Sequence, residues 1–418
     1  MSGTSRRTFC ASSFAAASAG LLAPVRSVAQ AAKPVRIKSI DIFPIEIPVP
    51  KEQAETGLYT HYTVVKVATD VGVTGYNFNR GWDDRQLDSE IRPALVGKDL
   101  FAIDEHRKMG LTPWVYGGIE HAIWDAIGKI AGQPVHRLLG GGKTSIKAYL
   151  TPVWRPGGDQ SHVPFKEQAE MAVKIKKAGF RGMKIRGWRP EALDNVRACA
   201  EIRTAVGPDF AIMVDRVAQA SGKVWDYETA LKVARGLEKY NVAWLEEPFH
   251  RDDFLSPARL AREVDIPIAG AELYQGLDGF RECLANGSYD ILQPDPRISG
   301  GILNVVKIAA MADAFRKPVF LHGTMGLRLA AWLQASAVIG AEWQELARVT
   351  PPLLPEEQWN PALKVLHSRS VFTVRDGMIQ VPQSPGLGLD VNEEALQECR
   401  GAKDRRFYPA YEGEDASP

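Results

Sequence analysis

At 418 residues, with 45% hydrophobic and 24% charged side chains, the chain has material for a large core and for more than one domain, and this composition does not indicate intrinsic disorder. A formal net charge of +1 gives no global attraction to nucleic acid or to an acidic membrane surface. The cysteines, Cys10, Cys199, Cys283 and Cys399, form neither a disulfide framework nor a zinc-binding spacing.

The N-terminal stretch SRRTFCASSFAAASAGLLAP sets Arg6 and Arg7 before a modest apolar run, and small residues follow up to Ala31. This layout predicts a cleavable export signal of twin-arginine type over residues 1–31, and hence a periplasmic protein. No later segment has the roughly 18 uninterrupted apolar residues of a membrane span, so no membrane association of the mature chain is expected. From Val35 to Phe78 the pattern is strand-like: VRIKSIDIFPIEI alternates, and TVVKVATDVGVTGYNF carries a glycine turn between two β-rich runs. Helical periodicity then places Ile119, Ala122, Ile123, Ala126, Ile127 and Ile130 on one face, with a stop signal at Gly132 and Pro134.

After LLGGGK the texture changes to short apolar runs separated by amphipathic helices: IKAYL, GMKIRG, FAIMVD, VAWLEE, PIAGAE, DILQPD, PVFLHG and SAVIGAE. Eight such runs at intervals of roughly 20 to 35 residues predict an α/β fold with a parallel TIM-type barrel. A doubly wound sheet would show the same alternation, but no Gly-x-Gly-x-x-Gly follows the first run. Near the C-terminus VFTVRDGMIQVP reads as a hairpin turning at Asp376-Gly377 and returning to the N-terminal β region. The expected organisation is a signal at 1–31, an α+β capping domain at 32–145, a barrel at 146–365 and a C-terminal segment at 366–418 that returns to the cap.

A parallel barrel carries its chemistry at the C-terminal ends of its strands. Reading outward along the runs gives Lys184 and Arg186, Asp215, Glu246, Glu272, Asp295, His322 and Glu342, each polar after an apolar approach. Asp215, Glu246 and Glu272 end consecutive strands and would converge at the barrel mouth. Hard oxygen ligands without cysteine or histidine suit Mg2+. Separate ion pairs around the rim are the competing reading, but unscreened carboxylates so close together repel and call for a cation. Lys184 and Arg186 lie two apart and so point into the barrel from one strand. His322 comes from the seventh strand, and Asp295 on the sixth is placed to orient its imidazole and raise its basicity.

The segments AIWDAIGKIAGQPVHRLLGGG, MVD, LEEP, PIAGAE, QPDPRISGG, LHG and DGMIQVPQSPGLGLD, in this order and spacing, resemble the mandelate racemase branch of the enolase superfamily. The resemblance spans almost the whole mature chain. It implies an α+β cap, completed by the C-terminal segment, closing over a modified (β/α) barrel. It further implies Mg2+ on Asp215, Glu246 and Glu272, a basic dyad of Asp295 and His322, and Glu342 as a hydrogen-bond donor to the substrate carboxylate. Glu247 would point away and buttress its strand end.

The chemistry implied is abstraction of a proton next to a carboxylate, with Mg2+ and Lys184 neutralising the enediolate. His322 would take the proton and then help a β-hydroxide leave as water, yielding a 2-keto-3-deoxy acid. Two departures qualify the match. Arg186 stands where the family often has a lysine base, and arginine stays protonated, which disfavours a symmetric two-base racemase. Val217 stands where members commonly have asparagine, so the substrate is expected to differ from the usual sugar acids. The expectation is a Mg2+-dependent dehydratase of a small sugar acid. A racemase, epimerase or lactone cycloisomerase is the alternative, and a non-catalytic periplasmic sugar-acid binding protein is the alternative of another class. Retention of Lys184, Asp295 and His322 argues against a pure binder. Tyr59, His61, Arg80, Trp82, Trp154 and Arg155 are candidate substrate contacts, and the family analogy implies a symmetric homo-oligomer.

Overall fold

The computed structural model describes residues 33–50, 60–79, 86–154, 161–217, 224–324, 326–350, 361–368 and 372–401. The expected signal at 1–31 therefore lies outside the described residues. Strands β1 (Ile37–Glu46), β2 (His61–Thr69) and β3 (Thr74–Asn79) form an antiparallel sheet in the order β1-β2-β3. Its core is laid down by Ile37, Ile40, Ile45, Val65, Val67 and Phe78, all buried.

Helix α1 (Pro113–Ala131) packs on this sheet. Thr112 caps its start by accepting the Val115 N–H at 3.4 Å, Pro113 occupies the first turn, and Gly132 ends it in a left-handed conformation (φ 64°). Sheet and helix meet backbone to backbone at Gly75, where a Cβ would overlap the Ala122 carbonyl and the Ala126 amide. The sequence pattern indicates one apolar face, yet α1 is buried from Val115 through Gly128. Its polar residues are therefore buried as well, and both of its carboxylates are partnered. Asp125 accepts the Tyr76 and Leu387 N–H groups, both at 2.8 Å, and pairs with Lys129 at 2.6 Å. Glu120 accepts Trp124 Nε1 at 2.8 Å and two backbone N–H groups of the barrel, those of Ile302 at 2.8 Å and Leu303 at 2.9 Å.

The barrel strands are β4 (Ser145–Trp154), β5 (Gly182–Arg186), β6 (Ala211–Asp215), β7 (Trp244–Glu246), β8 (Ile268–Gly270), β9 (Ile291–Leu292), β10 (Leu321–Thr324) and β11 (Trp343–Thr350), in the order β10-β11-β4-β5-β6-β7-β8-β9. Every neighbouring pair in this order is parallel. Backbone bonds close the ring between β9 and β10: Leu292 N–H donates to Pro318 O (3.1 Å), Phe320 N–H to Leu292 O (3.0 Å) and His322 N–H to Pro294 O (3.2 Å). Inside the ring Tyr149, Met213, Trp244, Ala269, Ile291 and Phe320 form a separate apolar cluster, with Tyr149 and Trp244 edge to face at 5.5 Å. This plug is the floor beneath the strand ends. Of the connecting helices, α2 (Ile302–Ala314) follows β9 and α3 (Leu329–Val338) follows β10.

Two expected elements are corrected. SAVIGAE is not the eighth strand: its first residues end α3, the chain turns at Gly340, and β11 starts only at Trp343. Helix α3 is buried from Leu329 to Ala337, so it has no polar face to reveal a helical period, and its apolar run reads equally as a buried strand. The C-terminal hairpin, β12 (Val374–Arg375) and β13 (Met378–Gln380), does not join the cap sheet. Strand β13 pairs antiparallel with β4, Ile379 opposite Ile146. The cap is reached further on, by α4 (Glu393–Glu398), where Glu393 bonds Tyr76 Oη and pairs with Lys66 at 2.9 Å, and by Cys399 O, which accepts the Glu46 N–H at 2.9 Å.

Candidate active site

The parallel register sets Arg186, Asp215 and Glu246 side by side on β5, β6 and β7, and Glu272 follows two residues after β8. One carboxylate oxygen each from Asp215, Glu246 and Glu272 lies within 4.8 Å of the others, and all three residues are buried. Among the described residues, the non-glycine positions with positive φ include Val217 (41°), Glu247 (45°) and Ala271 (82°). Each lies within two residues of one of the three carboxylates, so every one of these strands leaves the sheet through a left-handed residue. Such a conformation costs on the order of 1–2 kcal/mol for an L-residue and is found where geometry at a site requires it.

The donor set fits a hard divalent cation. It is all oxygen, and it is crowded: burial first, then the neighbouring Asp215 charge, pushes the Glu246 carboxyl up to about 8. Burial raises Glu272 too, and its Oε2 makes no hydrogen bond among the described residues, facing His322 Nε2 at 3.4 Å. The other Glu246 oxygen contacts are donors, Lys184 Nζ (2.7 Å), Trp244 Nε1 (3.1 Å) and Gln293 Nε2 (2.9 Å), which fix its orientation. Glu247 is buried beside the cluster without joining it, its carboxylate accepting the Glu272 N–H at 3.4 Å.

On one side of the carboxylates Lys184 is wholly buried, 3.2 Å from Asp215, 2.7 Å from Glu246 and 3.0 Å from Glu345. Burial alone would lower its pKa, but the three carboxylates hold the ammonium well above its usual range. Arg186 binds the same Asp215 through Nη1. On the other side His322 Nδ1 meets Asp295 Oδ2 at 3.0 Å. Burial opposes a charged ring there, yet Glu272 and the Asp295 hydrogen bond lift His322 to about 10. Asp295 is in turn held by the N–H groups of Arg297 (2.8 Å) and Ile298 (2.9 Å).

Glu342 is not brought to this site. It precedes β11, at the opposite end of the barrel, 55% exposed and paired with Lys147 at 2.7 Å. The carboxylate inside the barrel is Glu345, three residues on and absent from the expected set. It accepts Tyr149 Oη (3.2 Å), Thr151 Oγ1, Lys184 Nζ and the Gly323 N–H (2.8 Å). Glycine is required at 323 because a Cβ would overlap that carboxylate. Although burial opposes it, the Lys184 ammonium and then His322 hold Glu345 down to about 2. The signal that finds Glu345 is the period of two in WQELA once the strand is started at Trp343, whose ring meets Tyr149 of the barrel plug at 6.1 Å. Of the cap residues expected to touch substrate, His61 lies 3.4 Å from Glu46 at the cap surface. Tyr59, Arg80, Trp82 and Arg155 lie outside the described residues, as does the side chain of Trp154.

Comparison with known proteins gives a consistent picture. Residues 41–140 match the mandelate racemase / muconate lactonizing enzyme N-terminal domain, and residues 165–395 match the enolase C-terminal domain-like family. The arabinonate dehydratase of Saccharolobus solfataricus is 31% identical over 316 residues, covering 75% of this chain and 79% of that protein. The D-galactarolactone cycloisomerase of Agrobacterium fabrum is 30% identical over 325 residues, covering 77% and 81%. Among solved structures, D-glucarate dehydratase from Agrobacterium tumefaciens, complexed with magnesium, superposes with a TM-score of 0.74 at 23% identity, covering 88% of this chain and 99% of that one. These relatives overturn the expected periplasmic localisation. They are sugar-acid dehydratases and a cycloisomerase, and the family match begins at residue 41, beyond the stretch that carries the export pattern. With both family domains matched in order across the cap and the barrel, the chain belongs to the mandelate racemase and muconate lactonizing enzyme family of the enolase superfamily.

Proposed function

We propose that this enzyme dehydrates a sugar acid to a 2-keto-3-deoxy acid, with His322 as the base and Asp215, Glu246 and Glu272 as ligands of Mg2+. The observation that carries the reading is the Asp295–His322 pair, whose Nε2 faces the carboxylate cluster while Arg186 stands on the other side. Bound there, Mg2+ would supply positive charge to the substrate carboxylate and offset the Glu272 charge that lifts His322. The magnesium in the similar D-glucarate dehydratase supports Mg2+ as the metal, and the buried carboxylate cluster supports these three ligands.

Asp295 accepts the Nδ1 proton of His322, which leaves Nε2 to take the proton next to the substrate carboxylate. The electron pair left behind moves toward the carboxylate, where the fixed Lys184 ammonium lies within the same cluster. The imidazolium then returns its proton to the β-hydroxyl, the C–O bond breaks, water departs, and the enol tautomerises to the 2-keto acid. One residue on one face performs both transfers. Racemisation through two bases needs a second base opposite His322, and Arg186, protonated and bound to Asp215, is unsuited to it. A lactone cycloisomerase is the second reading, favoured by the A. fabrum relative.

The deciding experiment incubates the protein and Mg2+ with arabinonate, D-galactonate, galactarate and D-galactarolactone in heavy water and follows product masses. Loss of one water with formation of a 2-keto acid is expected. Deuterium gain without water loss would point to epimerisation, and conversion of the lactone alone would favour the cycloisomerase. Glu246→Gln is expected to weaken Mg2+ binding at least about tenfold by titration calorimetry, and unchanged affinity would remove Glu246 from the ligand set.

A further inference from the structure

His322 sits on an irregular stretch of strand. Strand β10 pairs with β11 at Leu321–Gln344 and Thr324–Leu346, with a register shift between, so His322 and Gly323 fall in a bulge. The ladder alone does not set the direction of a side chain in a bulge. A tether from outside the sheet is present: Trp332, on α3 and wholly buried, donates its indole Nε1–H to the His322 carbonyl at 2.8 Å. The indole is clamped in turn. The ring of His121 meets it edge to face, with centroids 5.7 Å apart and planes at 77°, and the Arg328 guanidinium lies 5.0 Å from its centroid. His121 belongs to α1, and its Nδ1 lies 3.4 Å from the amide of Asn77 on β3, which also donates to Gly118 O at 2.9 Å. A continuous line of buried contacts thus runs from a cap strand to the backbone of the histidine.

We propose that Trp332 is a positioning residue for His322: the bond from its indole N–H to the His322 carbonyl, braced by His121, sets where Nε2 points. The proposal rests on the reading of His322 as the base. A buried indole N–H needs an acceptor, and here the acceptor is the carbonyl of the base itself. Losing the bond leaves the bulge held by the His322 and Gly323 N–H groups but removes the tether on its carbonyl from outside the sheet, and misplacement of a reacting group by about an ångström costs on the order of 100-fold in rate.

Trp332→Phe keeps a buried ring against His121 and removes the donor. Exchange of the α-proton into whichever of arabinonate, D-galactonate and galactarate the parent turns over is measured in heavy water and expressed per bound Mg2+. The rate is expected to fall about 10- to 100-fold with KM changed by less than about twofold. A variant that merely folds less well loses binding sites and exchange together. Its per-site rate would be unchanged, and that result overturns the proposal. Independently of any substrate, the Nδ1 proton resonance of His322, identified by its loss in His322→Asn, is expected to shift or broaden in Trp332→Phe, and an unmoved resonance also overturns it. His121→Leu, which leaves the indole bond in place, is expected to lower the per-site rate by a smaller factor, and an unchanged rate there removes the cap from the device. If His322→Asn itself exchanges at the parental rate, the base reading fails and takes the proposal with it. If His322→Asn is dead and Trp332→Phe is normal, the proposal alone fails.

Discussion

Glu342 and Glu345 are three positions apart on one chain segment and have opposite physical settings. The Glu342–Lys147 pair is exposed on both sides, and such pairs contribute between about 0 and 1 kcal/mol. Glu342→Gln is therefore expected to leave turnover unchanged and stability within about 0.5 kcal/mol. Glu345 is a buried anion ringed by donors, and Glu345→Gln strips a charge from beside Lys184 and turns an amide N–H toward groups that themselves donate. Removing one partner of a buried pair costs on the order of 3 kcal/mol. A marked fall in both stability and turnover is expected for this variant alone. Parallel urea melts and rate measurements on the two proteins check the contrast, and equal behaviour would return the role to Glu342. The remaining polar strand ends stand out in the sequence because buried parallel strands read as unbroken apolar runs, so the first charge marks where the strand leaves the core. Glu345 carries no such mark, since it lies within its strand.

Helix α2 shows how an element's ends store testable free energy. At its N-terminus Glu120 accepts the Ile302 and Leu303 N–H groups from a fully buried position, and burial pushes its carboxyl up to about 7 from an ordinary value near 4.5. The folded chain therefore holds a proton that the unfolded chain releases over that window, and stability falls as pH rises from about 4.5 to about 7. A shift of this size corresponds to on the order of 3 kcal/mol. Glu120→Gln retains an acceptor and lacks the proton, so the stability of the parent relative to this variant should decline by that order across the window in urea melts. A flat difference would place the proton elsewhere. At the other end of α2, Arg316 N–H bonds Asp313 O at 2.9 Å and Lys317 N–H bonds Ala312 O at 2.9 Å, with Arg316 at φ 56°. This is the Schellman arrangement, which favours glycine at the left-handed position. The Arg316 side chain is exposed, so Arg316→Gly should raise stability by about 1 kcal/mol, and a lower melting midpoint would refute the strain argument. Helix α3 shows the limit of pattern reading. Surrounded by core, it lost its polar face, and the strand expected in its place displaced the whole of β11.

Across the whole molecule, the alternation of strand and helix was legible because each crossover presents the same two periods, but the partner of a strand was not. The hairpin at Asp376-Gly377 shows its turn in the sequence, while its pairing with β4 is a contact between residues far apart in the chain, which no local pattern encodes. The burial of α1 is a property of the same kind, and it has a mechanical consequence. The helix is at once the backing of the cap sheet and a neighbour of the barrel segment between β9 and α2, bonded through Asp125 to β3 and to the C-terminal segment, and through Glu120 to the start of α2. A cap attached in this way has no apolar face of its own that could stay closed if the barrel opened, because α1 would be exposed in either case. The described residues from Val35 onward accordingly form one compact unit. Native-state hydrogen exchange should therefore find the amides of β2 and β3 opening with the same free energy as those of β5 and β6, within about 1 kcal/mol. Asp125→Ala should lower both together, since the Tyr76 and Leu387 N–H groups lose their acceptor at the joint. A cap sheet that exchanges several kcal/mol more readily than the barrel would mean that the two parts fold separately. The line of contacts from Asn77 to His322 would then be able to loosen without the barrel opening.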